Sequence, residues 1–132
     1  MHITGLYAAL AALLVVVLAV RISLRRRKVQ VGIGSGGDEV LARRVRAHAN
    51  AVEYLPLGLI LLLILDLDKT EPLLLHVFGI TLIVARVAHA FGLSTSSGVS
   101  PGRATGIALT WLVIVAMAVL MLWQRIVIWT LT

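Results

Sequence analysis

The stretch Arg46-Ala-His48-Ala-Asn50-Ala-Val-Glu53-Tyr54-Leu-Pro56-Leu runs unbroken into Gly58-Leu-Ile-Leu-Leu-Leu-Ile-Leu65, so any helix that carries the apolar run into a bilayer takes ionisable groups with it. The uncharged part, Tyr54 to Leu65, reaches only about 18 Å at about 1.5 Å per residue, against a hydrocarbon core of about 30 Å. A crossing that ends near Leu65 must therefore begin near Arg46. Glu53 then lies about 10 Å along the helix from Arg46, inside the apolar zone, where an uncompensated charge costs on the order of a few kcal/mol. Arg46, Asn50 and Glu53 stand at i, i+4 and i+7 and share one helical face. That face has to meet protein, a cavity or a ligand instead of lipid.

The rest of the chain agrees with a bilayer setting. Of its 132 residues 60% are apolar and only 14% are charged, with a mean hydropathy of +1.02, whereas soluble domains carry about 25% charged residues. The length allows one compact bundle and no separate soluble domain. There is no cysteine, which removes disulfides, thiolate metal sites and a protein-borne thiol nucleophile. Sulfur chemistry would have to arrive with a ligand. The net charge of +6 raises the question of nucleic acid, and its distribution answers it. Arg21, Arg25, Arg26, Arg27, Lys28, Arg43, Arg44 and Arg46 all lie between the first two apolar segments, while Asp66, Asp68 and Glu71 share the next connection with Lys69 alone. This is the positive-inside asymmetry of a membrane protein. No aromatic residues interleave the basic run and no base-reading module is present, so nucleic-acid binding is not expected.

The pattern predicts an all-α integral membrane protein: a single domain over 1–132, with helices at about 3–24, 39–65, 72–93 and 104–130. The positive residues follow the first apolar stretch instead of preceding it, the reverse of a secretory signal. A glycine-rich loop, Val31 to Glu39, lacks the Gly-Lys-Ser/Thr ending of a phosphate loop and reads as a connection. Asp38 or Ser35 can cap the second helix, and Pro56 lies within it. The third helix starts at Pro72, a good first-turn residue. A Ser/Gly/Pro-rich loop covers 94–102. Four crossings put both termini outside the cytoplasm and the two loops at 25–45 and 94–103 inside. No convincing repeat relates the two halves.

Arg25 or Arg26, Arg46, Asn50, Glu53, Arg86, His89 and Arg103 thereby gather at the inner leaflet. Such a set suits a small anionic zwitterion: arginines hold carboxylates through paired hydrogen bonds, Asn50 donates or accepts, and Glu53 accepts from an ammonium. The structural alternatives are an interhelical ion pair between Glu53 and Arg86, an interhelical hydrogen bond at Asn50 and packing at His89 and Tyr54. His48 and His76 stand apart from His89 with no carboxylate at metal spacing, so no metal is expected.

With Arg46-Ala-x-x-Asn50-x-x-Glu53-Tyr54-x-Pro56, the Arg86-x-x-His89 pair, four helices and a basic first loop, the chain resembles the MAPEG family, the membrane-associated proteins of eicosanoid and glutathione metabolism. It is most similar to short bacterial members, which share the Gly36-Gly37 loop and the Asn50-Ala-Val-Glu53-Tyr54 string. The resemblance implies a homotrimer with glutathione as co-substrate, bound between adjacent subunits near the cytoplasmic side, and conjugation, reduction or isomerisation of lipophilic electrophiles. It implies glutathione contacts at Arg46, Asn50, Glu53, His89 and Arg25 or Arg26, with Arg103 as the thiolate stabiliser. Ala49 replaces an arginine of some members, and Leu93 a tyrosine of the eicosanoid enzymes.

The function expected is thus a membrane-bound glutathione-dependent transferase or peroxidase in a bacterial inner membrane. Two other classes compete: a small proton-coupled multidrug transporter using Glu53, and a non-catalytic bundle whose polar stripe only assembles subunits. Arginines around Glu53 would repel the cations such exporters carry.

Overall fold

The computed structural model describes residues 2–95, 98 and 100–131. Four helices follow one another: α1 (Thr4–Val29), α2 (Glu39–Leu67), α3 (Pro72–Thr95) and α4 (Pro101–Leu131). Their lengths of 26, 29, 24 and 31 residues all exceed the roughly 20 residues needed to span hydrocarbon, and all four are apolar enough to cross a membrane.

The helix ends show which local chemistry prevailed. Helix α1 runs on past residue 24 through Arg25, Arg26, Arg27 and Lys28, because straight-chain basic residues are good helix formers and their charges complement the C-terminal dipole. It stops at Gln30, which takes a left-handed conformation with φ of 54°. Of the two expected caps for α2, Asp38 is the one used: its Oδ1 accepts from the Leu41 N–H at 2.6 Å. Pro56 is absorbed within α2. Helix α4 begins three residues earlier than the sequence indicated, at Pro101, with the Ser100 hydroxyl accepting from the Arg103 N–H at 3.3 Å. Of the loop expected over 94–102, residues 96, 97 and 99 lie outside the described residues, and 94–95 and 101–102 are helical.

Helix α3 is the centre of the bundle and packs on the other three. Leu75 and Leu82 of α3, Leu62 and Leu65 of α2 and Met117 of α4 are fully buried, while Leu13, Val16, Ile60, Val84, Leu112 and Val119 point outward. Apolar residues on the outside suit a lipid environment. Close approach is set by small residues, as is usual where helices lack a hydrophobic drive to associate. A Cβ at Gly106 of α4 would lie 2.6 Å from the His89 amide nitrogen and 2.7 Å from the Ala85 carbonyl oxygen of α3, so only glycine permits this crossing. The seam continues where Gly92 meets the first turn of α4. It fixes the beginning of α4, and with it Arg103, against the end of α3.

The opposite end is tied by polar contacts. Asp66 accepts from the Thr4 N–H at 2.8 Å, Arg125 pairs with Asp68, and Gln124 donates to the Thr70 hydroxyl at 3.0 Å. Deeper in, the Tyr7 hydroxyl meets His76 Nδ1 at 2.7 Å.

Candidate functional site

At the end where the basic first part of α2, the end of α3 and the start of α4 meet, a cleft of about 430 Å³ is lined by Ala42, Arg43, Arg46, Asn50 and Tyr54 from α2, His89 and Leu93 from α3, and Arg103, Ile107 and Trp111 from α4. The α2 set follows a helical face: residues 43, 46, 50 and 54 recur at three- and four-residue intervals. The other two helices contribute because the glycine seam holds them together. His89 Nδ1 lies 2.9 Å from the Arg103 carbonyl oxygen, so the third residue of α4 is fastened to α3 through its backbone and its guanidinium is left to the cleft.

Arg86 lies behind the lining and contacts Asn50 and Tyr54, which belong to it. It is 1% exposed, which for a charged group requires partners. Its Nη1 donates to Asn50 Oδ1 at 2.8 Å, and its Nη2 donates to the Gly106 carbonyl at 3.3 Å. The Tyr54 ring lies under the guanidinium, 5.3 Å from centroid to Cζ, within the range of a cation–π contact. Tyr54 in turn accepts from the Trp111 indole N–H at 3.2 Å. One chain of contacts therefore joins α2, α3 and α4 beside the cleft.

Four of the expected site residues, Arg46, Asn50, His89 and Arg103, come together in this cleft. Three others do not. Arg25 is bound in a bidentate pair to Asp38, with Nε and Nη2 donating at 3.0 and 2.6 Å. The short loop folds Asp38 back onto α1. Arg25 and the Leu41 N–H hold the Asp38 carboxyl below its ordinary value of 3.8. Arg26 donates to the Gly32 and Gly34 carbonyls, both at 3.0 Å, and with Arg46 borders a separate hollow of about 350 Å³. Glu53 is exposed, off the cleft, and receives a bond of 3.4 Å from Asn50 Nδ2. The interhelical pair weighed as an alternative between Glu53 and Arg86 is not formed within one chain: Arg86 is buried against Asn50 and the Gly106 carbonyl, while Glu53 is exposed.

Arg43, Tyr54 and Trp111 are cleft residues that sequence reasoning did not place there. Arg43 was legible, one turn before Arg46 on the same face, but reads as a topology charge. Trp111 had no local signal; its place depends on the α3–α4 crossing. No group of three metal-binding side chains occurs among the described residues.

The sequence profile of the MAPEG family matches residues 4–123. The chain is 31% identical over 121 residues to the inner membrane protein YecN of Escherichia coli strain K12, an alignment covering 92% of this chain and 91% of that protein. It is similar to the same degree to YecN of Escherichia coli O6:H1 strain CFT073.

Proposed function

Since this chain belongs to the MAPEG family, we propose that its cleft binds glutathione and that the protein is a glutathione-dependent transferase or peroxidase of lipophilic electrophiles. The observation that carries this reading is the convergence of Arg43, Arg46, Asn50, His89 and Arg103 on one cleft whose other wall is Ile107 and Trp111. Three arginines without a carboxylate in the lining favour an anionic ligand over the lipophilic cation of an exporter.

Arg46 and Arg43 hold the carboxylates of the peptide, and Arg103 stands at the sulfur. A guanidinium there favours thiolate over thiol, and each unit of lowered thiol pKa requires about 1.4 kcal/mol of differential stabilisation. Asn50 contributes mainly through Arg86, whose position it fixes. Trp111 is 54% exposed on the outward face of α4, so the acceptor enters sideways from lipid along Ile107 and Trp111.

Glu53 supports assembly. An exposed carboxylate on a membrane helix is costly unless a cation meets it, and a neighbouring subunit in a homotrimer supplies one. The chain resides in the inner membrane, with the basic ends of α1 and α2 cytoplasmic and both termini outside.

Turnover by purified protein tests the reading. Wild type should conjugate glutathione to a lipophilic electrophile, and Arg103→Ala should lower kcat by about 10²–10³, the usual effect of losing one donor to a developing anion, while glutathione still binds. Glutathione binding without turnover of conjugation or peroxide substrates would leave a non-catalytic binder, and full activity in Arg103→Ala would remove this arginine from the chemistry.

A further inference from the structure

His89 is 5% exposed and does more than line the cleft. Its Nδ1 faces the Arg103 carbonyl oxygen at 2.9 Å. A carbonyl only accepts, so this bond needs the proton on Nδ1 and leaves the lone pair of the neutral ring on Nε2. The helix crossing holds the base of this side chain close to α4: a Cβ added at Gly106 would lie 2.7 Å from the His89 Cβ. One backbone contact thus fixes the tautomer of His89 and the position of Arg103 together.

We infer that Nε2 of His89 is the proton acceptor for the bound thiol and later returns that proton to the product. The role rests on the glutathione reading above and adds a general base to it. With an α,β-unsaturated carbonyl compound as acceptor, the S–H bond breaks, its proton passes to Nε2 and the electron pair stays on sulfur beside Arg103. The thiolate forms the S–C bond at the β carbon while the C=C π pair becomes an enolate. The enolate then takes the proton from Nε2 at its α carbon, which restores the neutral ring. Thiol and acceptor sum to product with no other reactant.

The charged groups nearest His89 are cationic: Arg86 on its own helix, Arg103 on α4, and Arg43 and Arg46 across the cleft on α2; the carboxylates of Glu39, paired with Arg43, and Glu53, bonded to Asn50, stand outside the lining. Tyr54 is the remaining titratable group of the lining. The thiolate, and then the enolate, supplies the negative charge that balances the proton on the ring, and the proton returns to the product with that charge.

The test compares wild type, His89→Gln and His89→Ala in detergent, with glutathione and a lipophilic enone. Glutamine can still donate an amide N–H to the Arg103 carbonyl but offers no base. At saturating glutathione, where any change in affinity drops out, His89→Gln should lose about 10²–10⁴ in kcat at neutral pH, the usual worth of a general base. Its deficit should shrink as pH rises, because solvent then ionises the thiol, and added imidazole should restore part of the activity of His89→Ala. Unchanged activity, or a deficit constant from about pH 6 to 9, overturns the base role, as does a deficit that vanishes at saturating glutathione, which would make His89 a ligand contact alone. Nitrogen-15 shifts of His89 in unmutated protein give a reading independent of variant folding: an Nδ1–H tautomer supports the assignment and an Nε2–H tautomer overturns it. Failure of wild type to bind glutathione at all is seen separately and removes the function together with this role.

Discussion

Replacing Gly106 with alanine should separate α3 from α4 at the point where the cleft is assembled. The new Cβ would sit 2.6 Å from the His89 nitrogen, and ordinary contact begins near 3.4 Å, so the backbones must part by about 0.8 Å. The neighbours are main-chain atoms and cannot swing aside. Overpacking of this kind costs about 1–3 kcal/mol, offset by about 0.5–1 kcal/mol from the better helix propensity of alanine, which leaves a net destabilisation of about 0–2.5 kcal/mol. The Arg86 bond to the Gly106 carbonyl, 3.3 Å long, stretches with the seam. Gly5→Ala is the control, since nothing lies within 4 Å of a Cβ there, and it should be neutral or slightly stabilising. Reversible unfolding of both variants in mixed micelles of increasing sodium dodecyl sulfate content measures the difference. Equal stability of Gly106→Ala and Gly5→Ala would refute the close-packed seam.

Cysteines placed singly at Ile33, which is 94% exposed, and at exposed Glu71 should label from opposite sides of the membrane; labelling from one side would remove the four-crossing topology. Asp38 is held below its ordinary 3.8 by Arg25 and the Leu41 N–H, so its contribution is complete above that value and is lost as pH falls through the lower folded value. The stability gap between wild type and Asp38→Asn should accordingly be constant from about pH 5 to 8 and close below about pH 4; a gap that persists at lower pH would contradict the pairing. Native mass spectrometry should show three chains, and a stable monomer with undiminished glutathione affinity would rule out a site completed by a neighbour.

Hydropathy and charge were enough to read the helices, because a bilayer imposes a long uninterrupted apolar run on each crossing. The helical register alone put Arg46 and Asn50 on one face, and both reach the cleft. What depends on tertiary contact was out of reach. Arg25 looked free for a ligand until the loop returned Asp38 to it, and Glu53 looked like the partner of Arg86 until the α2–α3 crossing presented Asn50 Oδ1 at 2.8 Å. The link from Trp111 to Tyr54 spans 57 positions in sequence and has no periodic signature. The overlong α1 and early α4 follow from end effects, basic residues continuing one helix and Pro101 opening the other, which composition windows blur.

Calorimetric titration of glutathione into detergent-solubilised wild type, Arg46→Ala and Arg125→Ala tests the central claim most directly. Arg125 pairs with Asp68 at the far end of the bundle and serves as the control. Wild type and Arg125→Ala should bind saturably with equal affinity, and Arg46→Ala should bind more weakly by about 1.5–3 kcal/mol, the value of a hydrogen bond to a charged group, or about 10- to 150-fold. Folded wild-type protein that shows no saturable heat, or an Arg46→Ala variant that binds as tightly as wild type, would contradict the assignment of this cleft to glutathione.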